Sequence, residues 1–214
     1  MEQLEKQVDY QTTNSYVTYN KLTDKTKNIW MVFHGIGYLS KYFLKYFDEL
    51  SQEENYIIAP QAPSKYYLNN QYRHVGASWL TKENTATETQ NVFAYLDAVY
   101  TSENIPDHLK LIVFGYSQGV SIATRWIAKR QIKCDHLVLY AGGIPNELTP
   151  IDFEFLIPYN TKVTTLIGNK DEYIDEERLR LESQKITSLF KGRAKQVIFD
   201  GKHEIKKQLI NNLA

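Results

Sequence analysis

Short, almost continuous apolar runs recur along this chain, separated by stretches with helical periodicity. Strands buried on both faces have this composition, and such strands occur in parallel sheets that are covered by helices. We therefore predict an open, mostly parallel α/β sheet flanked by helices. The predicted strands are IWMVFH (29–34), YIIAP (56–60), LIVFG (111–115), HLVLYA (136–141), VTTLIG (163–168) and QVIFD (196–200).

The stretches between these runs carry apolar residues at three- and four-residue spacing, which predicts helices. In one of them, Thr85 and Glu88 have the spacing of a capping box. The segment NSYVTYNKL (14–22) predicts an outer, antiparallel strand. A length of 214 residues fits one domain, 1–214. Helices are predicted over residues 39–50, 85–100, 119–130, 174–190 and 203–213.

The charge composition excludes two classes of partner. Lysine plus arginine and aspartate plus glutamate number 25 each, so we expect neither nucleic-acid binding nor attachment to an anionic membrane. No apolar run approaches the roughly 18 residues of a membrane span, and the first residues lack the apolar segment of a signal peptide. One cysteine, Cys134, fits a reducing compartment. These features predict a cytoplasmic protein.

The motif GYSQG (115–119) lies where a predicted strand passes into a predicted helix. A serine between two glycines at such a junction is typical of a tight turn that exposes a nucleophilic hydroxyl above the sheet. The start of the helix places backbone N–H groups where negative charge would develop. Ser117 is therefore the candidate nucleophile, and a glycine turn without chemistry is the alternative.

A nucleophilic serine needs a histidine and an acid that follow it in the chain. Of the two later histidines, His136 opens a strand at the wrong end of the sheet, whereas His203 follows the last predicted strand. Asp171 follows the strand that ends near Gly168. The nearby Glu172 and Asp175 are open alternatives for the acid.

Backbone N–H groups are the expected donors to an oxyanion in such a site. The N–H of Gln118, next after the candidate nucleophile, is the first. The motif HGIG (34–37) follows the first predicted parallel strand, and its Ile36 N–H is the second. We interpret His34 itself as structural.

The aromatic segment 62–80 follows a predicted strand and is expected on the same side of the sheet as the site. Trp79, Tyr66 and Tyr67 are candidate substrate-binding residues, and Arg73 is a candidate contact for an anionic group. The alternative is an aromatic loop with no such role, because the chain contains 16 tyrosines.

The motifs FHGIG, GYSQG, GNKDEYI and GKHEI, in this order, resemble those of the α/β-hydrolase superfamily. The resemblance is to its compact carboxylesterase and phospholipase branch, which includes acyl-protein thioesterases. It implies a Ser117–Asp171–His203 triad, an oxyanion hole at Ile36 and Gln118, and no cofactor or metal. Val120 stands where that branch often has a third glycine.

The expected activity is hydrolysis of a small-molecule ester through an acyl-enzyme. About twenty residues separate HLVLYA from TKVTTLIG, too few for a large cap, and this favours small, soluble, short-acyl esters. An acyltransferase, a thioesterase or a peptidase of the same fold is the alternative within enzymes. A non-catalytic binding protein on this fold is the alternative outside them.

Overall fold

The computed structural model describes residues 3–214, and in this range strands alternate with helices. The strands are β1 (Tyr16–Tyr19), β2 (Asn28–Phe33), β3 (Asn55–Pro60), β4 (Ser64–Tyr67), β5 (Val75–Ser78), β6 (Lys110–Tyr116), β7 (His136–Tyr140), β8 (Lys162–Gly168) and β9 (Ala194–Phe199). The helices are α1 (Ser40–Phe43), α2 (Thr85–Ser102), α3 (Gln118–Arg130), α4 (Glu176–Leu189) and α5 (Lys207–Asn211), with 3₁₀ turns at Leu44–Tyr46, Leu68–Asn70 and Pro150–Leu156.

The main sheet of the described chain has seven strands in the order β1-β3-β2-β6-β7-β8-β9. Strand β1 pairs antiparallel with β3, and every other neighbouring pair is parallel. Each predicted apolar run forms one of these strands, so the prediction of a mostly parallel sheet with an antiparallel outer strand is confirmed. Because β2, β6, β7 and β8 run parallel, their carboxyl ends share one edge, where the candidate site is built.

Both faces of the sheet are covered. Along β2, Ile29, Met31 and Phe33 contribute to the core under α2, α3 and α4, whereas Trp30 and Val32 contribute to the core under α1 and α5. Successive side chains of a strand point to opposite faces, so a strand between two cores must be apolar at every position. This is why the run has no polar alternation.

Four local predictions differ from the structure. The helix predicted over 39–50 is only α1 followed by a 3₁₀ turn, and the helix predicted over 203–213 is only α5. The capping box at Thr85 is not formed, because Asn84 precedes the helix with a φ of 47° and the Thr85 hydroxyl donates to the Thr81 carbonyl oxygen. Segment 62–80, for which no strand was predicted, contains the β4–β5 hairpin.

The connection between β7 and β8 spans residues 141–161 and contains only the 3₁₀ turn Pro150–Leu156 as regular structure. The prediction that a large cap is absent is confirmed for the described chain. Within residues 3–214, no helix has the length and apolar character needed to cross a lipid bilayer.

Candidate active site

Ser117 lies in a strained turn between β6 and α3. Its φ is 53° and its ψ is −120°, a conformation that non-glycine residues rarely adopt. The flanking glycines are required by close contact: a Cβ at Gly115 would lie 2.6 Å from the Gly119 carbonyl oxygen, and a Cβ at Gly119 would lie 2.1 Å from that of Phe33. The turn holds the Ser117 hydroxyl at the carboxyl edge of the sheet.

The structure brings together the three side chains that the motifs predicted. The His203 Nε2 lies 2.9 Å from the Ser117 Oγ, and the His203 Nδ1 lies 2.8 Å from the Asp171 Oδ2. Asp171 is buried, with 6% of its surface exposed, so solvent screens its contact with the imidazole only weakly. In this arrangement the imidazole can accept the hydroxyl proton while the carboxylate stabilises the resulting cation.

The alternative acids make other contacts. The Glu172 Oε2 accepts a hydrogen bond from the backbone N–H of His203 at 3.3 Å and does not contact the ring. The Asp175 Oδ1 accepts from the backbone N–H of Arg178 at 2.8 Å and so caps the start of α4. Of the three candidates, Asp171 is the one that contacts the imidazole.

Two aromatic residues that the motif reasoning did not single out hold the imidazole between them. The Tyr116 ring lies 5.2 Å from the His203 ring, and the Tyr173 ring meets it edge to face at 4.8 Å. The Tyr116 hydroxyl also donates to the His203 carbonyl oxygen. Burial raises the pKa of Tyr116, so this hydroxyl keeps its proton and remains a donor. The one feature of the sequence that could have indicated this role is the position of Tyr116, directly before Ser117 in the motif.

The two residues predicted to supply oxyanion donors line the same cavity. Ile36 and Gln118 line it together with Ser117 and His203. Neither the Ile36 N–H nor the Gln118 N–H has a hydrogen-bond acceptor among the described residues. Both donors are therefore available to an oxygen atom of a bound molecule.

A buried network fixes the loop that carries Ile36. The Ala62 N–H donates to the His34 Nε2 at 3.2 Å, so the proton of the neutral ring is on Nδ1, which contacts the Gly35 carbonyl oxygen at 2.8 Å. Burial lowers the pKa of His34 to about 4, an effect that the bond to Gly35 partly opposes. The Trp79 Nε1 donates to the His34 carbonyl oxygen at 2.8 Å. His34 thus has a structural position, as predicted.

The structure does not place the three aromatic candidates in the cavity that contains Ser117. Trp79 is fully buried beneath the Ile36 loop, because its large ring fills the core and its N–H finds a buried acceptor there. Tyr66 and Tyr67 are on the exposed strand β4, outside the cavity wall. Arg73 borders a separate depression beside the hairpin. The predicted substrate contacts of these residues do not agree with their positions.

The cavity has a volume of about 630 Å³ and opens to solvent. Opposite the Ile36 loop, its wall is formed by the segment Gly142–Asn146 and by three charged side chains, Arg125 from α3 and Arg178 and Glu182 from α4. Nothing in the motifs pointed to these three residues. Among residues 3–214, no cluster of three or more His, Cys, Asp and Glu side chains is arranged to hold a metal ion.

Comparison with known proteins gives a consistent result. Residues 16–214 match the model of the phospholipase/carboxylesterase family. An acyl-protein thioesterase 2 from Zea mays superposes with a TM-score of 0.68 at 12% identity, over 94% of this chain and 96% of that protein. A phospholipase/carboxylesterase from Dyadobacter fermentans gives 0.62 at 20% identity over 95% and 97%.

A carboxylesterase from Bacillus cereus gives a TM-score of 0.63 at 13% identity, over 94% of this chain and 91% of that protein. At these identities the structural likeness establishes the fold. No relative was found among curated proteins by sequence.

Proposed function

Because the chain belongs to the phospholipase/carboxylesterase family of α/β-hydrolases, an esterase-type hydrolase family, we propose that it is a serine hydrolase of short, water-soluble carboxylic esters. The observation that carries the proposal is the hydrogen-bonded series from Ser117 through His203 to Asp171. It lies at the carboxyl edge of the sheet, where ligands of open α/β sheets bind.

In the first step, the Ser117 Oγ attacks the ester carbonyl carbon as the His203 Nε2 accepts the hydroxyl proton. The Asp171 carboxylate, 2.8 Å from Nδ1, stabilises the imidazolium that forms and holds the ring in the tautomer that leaves Nε2 free to accept. His203 then gives the proton to the departing alcohol oxygen, and the acyl group stays on Ser117.

Negative charge develops on the former carbonyl oxygen during this attack. Ile36 and Gln118 line the cavity, and their N–H groups have no acceptor among the described residues; in this proposal they donate to that oxygen. Each such donor contributes about 3 kcal/mol of transition-state stabilisation. The N-terminus of α3 adds a favourable dipole at the same place.

In the second step, His203 activates a water molecule that attacks the acyl-enzyme and releases the acid. Short esters are favoured because the cavity is open and the connection after β7 carries no large cap. Little of a long acyl chain would be buried in such a site. A cytoplasmic location stays a prediction from composition.

A fluorophosphonate probe, which reacts with activated serines, tests the proposal. We expect stoichiometric labelling of the wild-type chain and none of Ser117→Ala. Ser121→Ala is the matched control and should still label, because Ser121 lines the same cavity and its hydroxyl donates only to the Gln118 carbonyl oxygen. A folded wild-type chain that neither labels nor hydrolyses p-nitrophenyl acetate would refute the proposal.

A further inference from the structure

We propose that the acyl part of the substrate ends in a carboxylate and that Arg125 and Arg178 bind it, so that the enzyme prefers monoesters of short dicarboxylic acids. This inference rests on the proposed function, since it names the substrate class of the same site. It comes from the charged wall of the cavity, which the ester chemistry itself does not use.

Helix α3 connects the reacting serine with the first arginine. Ser117, Ser121 and Arg125 recur at four-residue spacing, and all three line the cavity, so one face of the helix borders it. Eight residues of helix span about 12 Å, and helical side chains generally lean toward the N-terminus, which shortens the distance that a ligand between Ser117 and Arg125 must span. A short acyl chain on Ser117 that follows this face would end near Arg125.

The guanidinium of Arg125 has hydrogen-bond donors that are not used within the described residues. Its Nε is 2.6 Å from the Glu147 Oε1, and only 17% of its side chain is exposed. Its two Nη groups have no hydrogen-bond acceptor among the described residues. Guanidinium groups bind carboxylates with two parallel N–H donors, and the strength of that contact grows as water is excluded.

Arg178 faces the same end of the cavity from α4. Its Nη1 donates to the Tyr173 carbonyl oxygen at 3.1 Å. Within residues 3–214, no Asp or Glu carboxylate oxygen lies within 4 Å of the Arg178 guanidinium nitrogens, the distance that defines an ion pair. Other surface arginines of this chain, such as Arg130 and Arg180, do have a carboxylate partner. The cation of Arg178 is therefore available to a ligand.

Charged side chains of both signs lie at this end of the cavity. Besides Arg125 and Arg178, Lys185 contacts the cavity segment through the Ile144 carbonyl oxygen. The carboxylate of Glu147 pairs with Arg125, and the Oε2 of Glu182 is 3.4 Å from the Ile144 N–H, so neither forms an ion pair with Arg178. A carboxylate on the substrate would give Arg178 the ion-pair partner that it lacks within residues 3–214.

The test compares two esters of the same shape that differ in charge. Monoethyl glutarate carries the carboxylate, and the ethyl ester of glutaric acid monoamide replaces it with a neutral amide. We expect kcat/KM for the anionic ester to exceed that for the amide by about tenfold or more, as one charge-assisted bidentate contact would give. Arg178→Gln and Arg125→Gln should each lower this ratio toward one.

Arg180→Gln is the matched control, because Arg180 is on the same helix, is 2.8 Å from Glu177 and does not line the cavity; its ratio should equal that of the wild type. A wild-type ratio near one, or a ratio that survives both cavity substitutions, would overturn the inference. If Ser117 still reacts with the fluorophosphonate in that case, the proposed function stands without it. Absence of both labelling and ester hydrolysis would reject the proposed function and the inference together.

Discussion

The hydroxyl of Tyr116 donates a hydrogen bond to the carbonyl oxygen of His203 at 2.9 Å. Tyr116 directly precedes Ser117, so the residue that begins the strained turn also holds the backbone of the histidine. The Glu172 carboxylate accepts from the N–H of His203 at 3.3 Å, so both backbone polar groups of the histidine contact side chains. These two contacts hold the backbone of His203 and so help to position its imidazole next to Ser117.

We expect Tyr116→Phe to lower kcat for p-nitrophenyl acetate by about fivefold, the effect of one hydrogen bond of about 1 kcal/mol, with KM unchanged. The ring stays, so contact with the imidazole is kept and only its alignment is lost. Tyr46→Phe is the control, because it removes a hydroxyl that bonds Tyr38 at 3.1 Å, whereas the bond to the His203 carbonyl oxygen comes from Tyr116. Equal losses in the two variants would contradict a positioning role for Tyr116.

The residues that come together at the site could be predicted because each follows a strand in a parallel sheet. Ser117, Asp171 and His203 come after the runs that form β6, β8 and β9, whose carboxyl ends share an edge. The wall residues Arg125 and Arg178 could not be predicted in this way. They lie within helices, and whether a helical arginine faces a cavity depends on how the helix packs on the sheet.

The second prediction separates the acids. Asp171→Asn should reduce kcat by roughly 10³- to 10⁴-fold, because the amide neither stabilises the imidazolium nor holds the required tautomer. Glu172→Gln should have a mild effect, since an amide oxygen still accepts from the His203 N–H. Asp175→Asn should also be mild, because asparagine caps helices about as well as aspartate. Activity is measured with p-nitrophenyl acetate. A severe loss in Glu172→Gln or Asp175→Asn would show that Asp171 is not the acid of the site.

The third prediction concerns acid stability. Burial lowers the pKa of His34 to about 4; burial and then the charge of Lys162 lower that of His136 to about 4. Their ordinary value is 6.5, so below it the unfolded chain binds protons that the folded chain does not. The contribution of the two histidines to the free energy of unfolding should therefore be complete above pH 6.5. It should fall toward pH 4, by about 1.4 kcal/mol per pH unit for each histidine.

Urea unfolding at pH 7.5, 6.5, 5.5 and 5.0 measures this dependence. His136→Gln removes one of the two titrating groups and should reduce the slope by about half. His136 is the better choice for substitution, because it opens β7 far from the carboxyl edge, and its Nε2 contacts the Thr164 hydroxyl at 2.8 Å. A free energy of unfolding that is constant between pH 7.5 and 5.0 would contradict the prediction.

Sequence patterns predicted the strands of the main sheet well and the segments 39–50 and 62–80 poorly. All four residues of β4 are exposed, so its sequence SKYY has no apolar alternation to reveal a strand. The spacing in 39–50 fits 3₁₀ and α-helical turns alike, which is why the short α1 was predicted as a long helix. The position of Trp79 depended on an acceptor, the His34 carbonyl oxygen, that only the folded chain brings to its ring.

The last prediction is about acyl length. A buried methylene contributes about 0.8 kcal/mol, and only methylenes that leave water contribute. The cavity opens to solvent, and the connection of residues 141–161 after β7 carries no large cap in the described chain. Catalytic efficiency on p-nitrophenyl acetate, butyrate, octanoate and palmitate should therefore be highest for short chains and fall beyond about eight carbons. A maximum at palmitate, or activation by a lipid interface, would contradict this prediction. Either result would require a hydrophobic channel in place of an open cavity with a charged wall.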